Sequence, residues 1–208
     1  MIRTIKQILG LFLLLCAVGF LHYTLPQRDI VRIAGTEVFP TDVSGLNALF
    51  YAQSDSGGGV EVGKRSLRLI NTVRANGDTM VYRNEDTGLF NWPPYIKTNS
   101  SDVQAEAADA VSPKDVPQWM IVRHYGWRIT WLSIYPNALS VKPASGPDQQ
   151  LIPWFNIIFL TILMAIFWAI FVRIRRFWNG RIEPVLDHAE ARVDETRETV
   201  GGWFRRKK

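Results

Sequence analysis

Two adjacent carboxylates are the first residues in this sequence whose types and spacing point to chemistry. Glu85 and Asp86 follow an apolar run that ends at Arg83. Paired carboxylates can exchange protons or bind a hard cation such as Ca²⁺. Neighbouring residues of a strand point in opposite directions, however, and Thr87-Gly88 come next in the chain. We therefore predict a turn held by local side-chain hydrogen bonds, with an acid–base pair or a cation site as the alternatives.

The second candidate is His124, because histidine is the usual proton carrier near neutral pH. One histidine with no Cys or second His nearby does not make a zinc site. The chain has a single cysteine, Cys16, and lacks Gly-x-Ser-x-Gly and phosphate-loop motifs. His124 shares a strand face with Met120 and Val122, which predicts a hydrogen-bonded core or rim residue and leaves a catalytic base as the alternative. No catalytic residue, metal ligand or cofactor is assigned, and an enzyme is not favoured.

Aromatic residues form the third candidate group, because aromatic rings stack on the apolar faces of sugars and on peptide side chains. Most such residues in a small domain belong to the core. A groove for a glycan or peptide is therefore the second interpretation, not the first. Its predicted lining is Trp92, Tyr95, His124, Trp127 and Trp131.

The elements that must position these residues are framed by two apolar blocks. Residues 8–25 and 151–172 contain no Lys, Arg, Asp or Glu. As helices they would measure about 27 and 33 Å, close to the roughly 30 Å of a bilayer core. We predict two transmembrane helices at these positions, with Trp154 and Trp178 as interface anchors. A cleaved signal peptide is the alternative for the first block, but no pair of small residues follows its apolar core.

The distribution of basic residues predicts the orientation of the two spans. Six Lys and Arg residues flank the blocks on the sides of the chain termini, and three flank them on the sides of the middle segment. The positive-inside rule then places residues 1–7 and 173–208 in the cytoplasm and residues 26–150 across the membrane, in a periplasm or outside the cell. The middle segment has 12 basic and 13 acidic residues, so the net charge of +5 resides in the ends. This slightly acidic segment argues against a nucleic-acid partner.

The basic tail carries its own pattern. Charged residues alternate with a thin apolar stripe over residues 183–200, which predicts an amphipathic helix. A solvated helix with a frayed end is the simpler interpretation, and helix pairing is an alternative. Aromatic and basic residues follow the helix, however, a combination that can bind anionic lipids. The predicted lipid-interface residues there are Trp203, Phe204, Arg205 and Arg206. The expected partners are therefore the bilayer, anionic lipids and either a membrane protein or a second copy of the chain.

Strand signals dominate the middle segment. Residues 29–33 and 46–52 predict strands, and Asn76-Gly77 between alternating runs predicts a hairpin over residues 67–83. A capping-box pattern at 101–104 predicts a short helix through residue 111, and residues 118–125, 127–132 and 138–142 predict further strands. The fold class is thus an α+β membrane protein. Its small, mainly antiparallel β domain is either an oligonucleotide/oligosaccharide-binding (OB)-like barrel with one helix or an open sheet.

Five strings in the sequence carry a resemblance to a known family. They are LHYTLPQRDIVRIAGTEV (21–38), MVYRNEDTG (80–88), NWPPYIK (91–97), VQAEAAD (103–109) and VRHYGWRI (122–129). Together they resemble domain-of-unknown-function family 1523, a family of bacterial membrane proteins, over about residues 10–142. The resemblance implies a bacterial inner-membrane setting and no reaction, ligand or partner. The expected function is a non-enzymatic envelope assembly or accessory factor, with a periplasmic ligand-binding module as the alternative and a hydrolase as a third reading.

Overall fold

The computed structural model describes residues 2–42, 64–88 and 95–182. Within these ranges it has three α-helices, α1 (Ile2–Thr24), α2 (Ser100–Asp109) and α3 (Trp154–Phe177). Its five strands are β1 (Gln27–Asp42), β2 (Lys64–Arg74), β3 (Thr79–Arg83), β4 (Trp119–Tyr125) and β5 (Asn137–Pro143). The chain divides into two compact units, residues 1–153 and 154–208.

The five strands close into a barrel in the order β1-β2-β3-β5-β4. β1 pairs antiparallel with β2 on one edge and with β4 on the other, which its length of 16 residues allows. A parallel contact between Arg83 and Asn137 joins β3 to β5, and α2 lies in the connection from β3 to β4. Of the two predicted arrangements of the middle segment, the structure therefore has the barrel and not the open sheet.

The barrel interior follows from the alternation of side chains along each strand. Most inward positions carry buried apolar residues, and α2 covers the interior with its own buried face. The shared cluster consists of Val31, Ile33, Ile70, Tyr82, Val103, Ala107, Ala110, Met120, Val122, Ala138 and Val141. Each fully buried Val, Ile or Met side chain contributes about 1.5–3 kcal/mol of transfer free energy, so this interior dominates the stability of the barrel.

The predicted hairpin is confirmed, although its turn differs in detail from the expected one. Leu69 to Val73 of β2 pair with Arg83 to Thr79 of β3. Gly77 has φ of +89°, as predicted, but Asn76 does not share a positive φ. The Gly77 N–H donates to the Arg74 carbonyl and the Arg74 N–H to the Asp78 carbonyl, both at 2.9 Å. These bonds define a three-residue loop in which only the last residue must be left-handed.

Two other local predictions need correction. Residues 127–132 are not a strand; a 3₁₀ turn at Thr130–Leu132 interrupts them, and Ser133 adopts a left-handed φ of +53°. The α2 helix begins at Ser100, one residue before the predicted capping box, and its N-cap Asn99 makes no side-chain capping bond. The predicted strands at 29–33, 118–125 and 138–142 are present within β1, β4 and β5. The predicted strand at 46–52 lies outside the described residues.

The two apolar blocks are helical in the structure. Two described stretches, Arg3–Thr24 and Trp154–Gly180, are long and apolar enough to cross a membrane. α1 extends the predicted 8–25 block back to Ile2, and α3 continues beyond Val172 to Phe177, because charged residues can prolong a helix past its apolar part. α3 begins only after Pro153, since a proline disfavours helical backbone in the residue before it. The predicted tail helix at 183–200 lies outside the described residues.

Candidate functional site: polar and aromatic clusters of the barrel

The first polar cluster surrounds the carboxylate of Asp29. Asp29 lies on the same face of β1 as Val31 and Ile33, so its side chain belongs to the inward side of the barrel wall. Its Oδ2 accepts hydrogen bonds from Tyr82 Oη at 2.5 Å and Arg74 Nη2 at 2.9 Å. His124 Nε2 stands 3.2 Å from the same oxygen as an ion-pair contact. Four strands, β1 to β4, thus each place one polar side chain at this point.

The electrostatics of this cluster favour a charged Asp29. Burial by itself raises the pKa of Asp29, but the contacts from His124, Tyr82 and Arg74 outweigh burial and hold that pKa well below its usual range. Burial and the neighbouring carboxylate raise the pKa of Tyr82 far above its ordinary value, so its hydroxyl remains a donor. The hydrogen bond to Asp29 likewise raises the pKa of Arg74. The cluster is an anion that accepts hydrogen bonds from Tyr82 and Arg74 and lies beside His124.

The second cluster is a buried ion pair at the junction of β3 and β5. Arg83 Nη1 donates to Glu85 Oε2 at 3.0 Å, and the two side chains are only 1% and 6% exposed. The Asn137 amide holds the backbone beside it: its Oδ1 accepts from the Glu85 N–H and its Nδ2 donates to the Glu85 carbonyl, both at 3.0 Å. Asn137 Nδ2 also lies 3.1 Å from Tyr125 Oη. The ladder contact that joins β3 to β5 is therefore supported by side chains.

The third cluster joins the segment after β3 to the start of α2. Lys97 Nζ donates to Asn84 Oδ1 at 2.5 Å, and Asn84 Nδ2 donates to the Ser100 carbonyl at 2.7 Å. Burial lowers the pKa of Lys97 to about 8, although the charges of Asp86 and Glu85 act against that shift. Asp86 accepts from the Ser100 N–H at 2.9 Å and from its hydroxyl at 2.6 Å. Asp86 thereby supplies the N-terminal cap that Asn99 does not, and its charge suits the positive end of the helix.

An aromatic cluster attaches the end of α1 to the barrel. The Tyr95 and Tyr125 rings stack with centroids 4.5 Å apart, and Tyr23 of α1 meets Tyr125 edge-on at 6.3 Å. Trp127 stands edge-on to Tyr23 at 5.3 Å. Gly126 allows this approach, since its φ of +94° turns the chain and its N–H donates to the Tyr23 carbonyl at 2.9 Å. Such ring contacts add about 0.5–1.5 kcal/mol each beyond area burial, so α1 and the barrel form one unit.

The structure distributes the predicted site residues among different environments. Tyr95 and Trp127 pack on the same aromatic cluster, whereas His124 belongs to the Asp29 cluster and Trp131 is exposed. Trp92 and the tail residues Trp203, Phe204, Arg205 and Arg206 lie outside the described residues. Trp154 and Trp178 are exposed at the two ends of the α3 segment. His124 is buried beside Met120 and Val122, as predicted for a core histidine.

The pair Glu85 and Asp86 is resolved in favour of local bonding. The two carboxylates bind different partners, Arg83 and Ser100, and so do not form one site. Within residues 2–42, 64–88 and 95–182, no group of three or more His, Cys, Asp and Glu side chains could hold a metal ion. The predicted turn with side-chain hydrogen bonds describes Asp86 well, but it missed the buried ion pair of Glu85.

Sequence reasoning missed Asp29, Arg74, Tyr82, Lys97 and Asn137 as members of these clusters. A signal for Asp29 existed: an acidic residue two positions before Val31 shares a strand face with residues predicted to be core. A charged residue on an inward face requires a partner. Which residues would be the partners depends on the closure of the barrel, which the sequence pattern does not specify.

Comparison with known proteins places the chain in a family. The profile of the family described as "Protein of unknown function (DUF1523)" matches residues 2–178, which includes α1, the barrel and α3. The chain belongs to this family. The chain is also 33% identical over 150 residues to an uncharacterized protein of Haemophilus influenzae, covering 70% of this chain and 80% of the relative. No solved structure matches the chain. The predicted membership is confirmed, and the match extends beyond residues 10–142 to the second apolar helix.

Proposed function

We propose that the chain is a two-span protein of the bacterial inner membrane that holds a periplasmic barrel and serves a non-enzymatic role in envelope assembly. One observation carries the proposal: the barrel is preceded and followed in the chain by helices that each contain an apolar stretch of 18 residues with no buried side chain. An exposed apolar surface of that extent is normally buried against another protein or lipid. A helix that is apolar on all sides is typical of a membrane span.

The lengths of the two helical segments support this covering. The stretches of 22 and 27 residues measure about 33 and 40 Å at 1.5 Å per residue, enough to cross a hydrocarbon core of about 30 Å. Trp154 and Trp178 are exposed at opposite ends of the second stretch, where interface aromatics belong. Arg173, Arg175 and Arg176 follow its most apolar part and favour a cytoplasmic carboxy-terminal end.

The polar clusters support a structural role for the barrel in preference to a catalytic one. His124 does contact the carboxylate of Asp29, and a histidine beside a carboxylate is part of many hydrolase sites. Arg74 and Tyr82 occupy the same Asp29 oxygen, however, and His124 is 3% exposed, so a substrate would have to displace an intact network. Glu85 and Asp86 are similarly engaged with Arg83 and Ser100. These side chains support the barrel wall and the start of α2.

We infer further that the barrel is of the OB type, because its strand order β1-β2-β3-β5-β4 with a helix before β4 matches that topology. OB domains bind ligands on the outer face of β2 and β3. In this chain part of that face is covered, since Leu67 and Leu69 are buried in a cluster with Val81 and Tyr135. A glycan or peptide groove is therefore the second candidate, supported only by the shared aromatic cluster of Tyr95 and Trp127.

Fractionation and purification of the full chain test the proposal together. The chain should remain in the inner-membrane fraction after an alkaline wash, and it should purify in mild detergent with a defined envelope protein that recovers it reciprocally. A reporter active only in the periplasm should work when inserted at Gly57-Gly58-Gly59 and stay silent when fused after Lys208. Release by the alkaline wash would contradict the spans, and recovery of the chain alone at its monomer mass would contradict the assembly role.

A further inference from the structure

The connection between β4 and β5, residues 126–136, is fixed at both ends to the last turn of α1. The Gly126 N–H donates to the Tyr23 carbonyl at 2.9 Å. A Cβ at Gly126 would stand 3.5 Å from Pro136 Cα and 3.6 Å from the Tyr23 ring. The first and last residues of this segment, here named the β4–β5 loop, therefore meet at Tyr23. The position of the loop is set by α1.

Trp127 extends from this junction back along α1. Its indole N–H donates to His22 Nδ1 at 2.9 Å, and its Cη2 atom lies 3.8 Å from the position of a Cβ on Gly19. Gly19 precedes the helix end at Thr24 by five residues, or about 7.5 Å along the axis. The Trp127 ring thus lies beside the last turn and a half of the apolar helix, in the space that the missing side chain of Gly19 leaves.

Trp131 stands at the tip of the same loop with 82% of its surface exposed. Its backbone is ordered by the Ile129–Ile134 bridge and by the left-handed Ser133 that follows the 3₁₀ turn. It follows Trp127 by four positions, so the two Cα atoms are at most about 14 Å apart. The exposed Trp131 ring therefore lies within about 14 Å of chain from Trp127, which contacts α1. The backbone of the loop directs the Trp131 ring away from the barrel interior.

We propose that the β4–β5 loop is an interfacial anchor that lies on the outer surface of the bilayer, with Trp131 among the lipid headgroups beside α1. This inference rests on the proposed function, because it requires α1 to cross the membrane. The occupant is lipid because the loop surface continues directly from the apolar surface of α1 through Gly19 and Trp127. Tryptophan prefers this layer, where its ring is partly buried and its N–H stays hydrated.

The loop also carries charge that suits an anionic surface. The Arg128 guanidinium stacks over the Tyr135 ring at 4.2 Å and donates to the Ile134 carbonyl at 2.9 Å. No acidic residue occurs between Gly126 and Pro136. A contact with the headgroup layer beside α1 would hold α1 and the barrel, which form one unit, at one angle to the membrane. The barrel would then face its partners in one fixed orientation.

The test uses the full chain in vesicles of phosphatidylcholine and phosphatidylglycerol that contain a spin-labelled lipid as a quencher. In a Cys16→Ala background, Trp131→Cys carries an environment-sensitive fluorophore. Phe39→Cys is the matched control, since Phe39 is also an exposed aromatic but lies 12 residues along β1 from Gln27, about 40 Å of strand. The native Cys16, labelled in the unchanged chain, reports whether α1 is inserted.

The anchor predicts blue-shifted emission at position 131 and quenching several-fold stronger than at position 39. Quenching at position 131 equal to that at position 39, with Cys16 strongly quenched, would overturn the anchor and leave the spans intact; Trp131 would then be a surface for a protein partner. Absence of quenching at Cys16 would overturn the proposed function itself. Because Trp131 is exposed, its replacement leaves the packing of the barrel unchanged, and a circular dichroism spectrum equal to that of the Cys16→Ala chain verifies this.

Discussion

The buried ion pair between Arg83 and Glu85 makes a sharp prediction for the change Glu85→Gln. Two unit charges 3.0 Å apart attract by about 5 kcal/mol at an effective dielectric constant of about 20. Glutamine keeps the shape and one acceptor oxygen but removes the negative charge that Arg83 contacts in a place that water does not reach. Removing one member of such a pair costs about 3–5 kcal/mol. The backbone bonds between residue 85 and Asn137 are retained, so the loss reports the charge.

Urea unfolding of the full chain in mild detergent, followed by the near-ultraviolet circular dichroism of the barrel aromatics, measures this effect. Glu85→Gln should lower the free energy of unfolding by about 3–5 kcal/mol. Glu106→Gln makes the same chemical change at an exposed site of α2 and should stay within about 0.5 kcal/mol of wild type. The double change Arg83→Met with Glu85→Leu should recover much of the loss. Equal effects of Glu85→Gln and Glu106→Gln would refute the buried pair.

Three further predictions address other parts of the chain. The folded-state pKa of Lys97 is about 8 against an ordinary 10.5, so the unfolded chain binds more protons than the folded chain between those pH values. The stability of wild type relative to Lys97→Met should therefore rise by up to about 3 kcal/mol from pH 7 to pH 10.5 in urea titrations. A stability difference that stays constant with pH would contradict the buried amine. Gly77→Val should destabilise the barrel by about 1 kcal/mol or more, since φ is +89° there, while Gly35→Ala, where a Cβ meets nothing within 4 Å, should be much milder in thermal melts. A peptide of residues 183–208 should bind anionic vesicles, release in high salt and bind less when Trp203 and Phe204 are replaced by Ser; indifference to anionic vesicles would make the tail a solvated or partner-binding helix.

The elements of the fold that depend on local pattern were predictable. The two apolar helices, the β2–β3 hairpin and the α2 helix were predicted from hydropathy, from an Asn-Gly pair and from a capping-box pattern before a stretch of helix-forming residues. Each is present within a few residues of its expected position. The prediction of a strand at 127–132 was wrong, because alternation of side chains does not show that Trp127 packs on α1 or that Ser133 turns the chain. Local periodicity is overridden where tertiary contacts decide the backbone.

The polar clusters were beyond local pattern for a different reason. His124 was correctly placed on the inward face with Met120 and Val122, yet its neighbour Asp29 is 95 positions away in the chain. The contact between them exists because β1 is long enough to pair with both β2 and β4. The same holds for Asn137 and Glu85, which meet only where β3 and β5 close the barrel. Which polar side chains contact each other therefore depends on how the barrel closes, and the pattern of a single strand does not specify it.

The proposed two-span topology requires residues of the barrel and residues after α3 to be accessible from opposite sides of a membrane, and thiol labelling in intact cells tests this requirement most directly. In a Cys16→Ala background, one variant carries Val116→Cys on the barrel and the other Gly180→Cys after α3; both positions are exposed. A thiol reagent that passes the outer membrane but not the inner one should label Val116→Cys in intact cells and Gly180→Cys only after the inner membrane is permeabilised. Labelling of both positions before permeabilisation, or of neither, would contradict the two-span account.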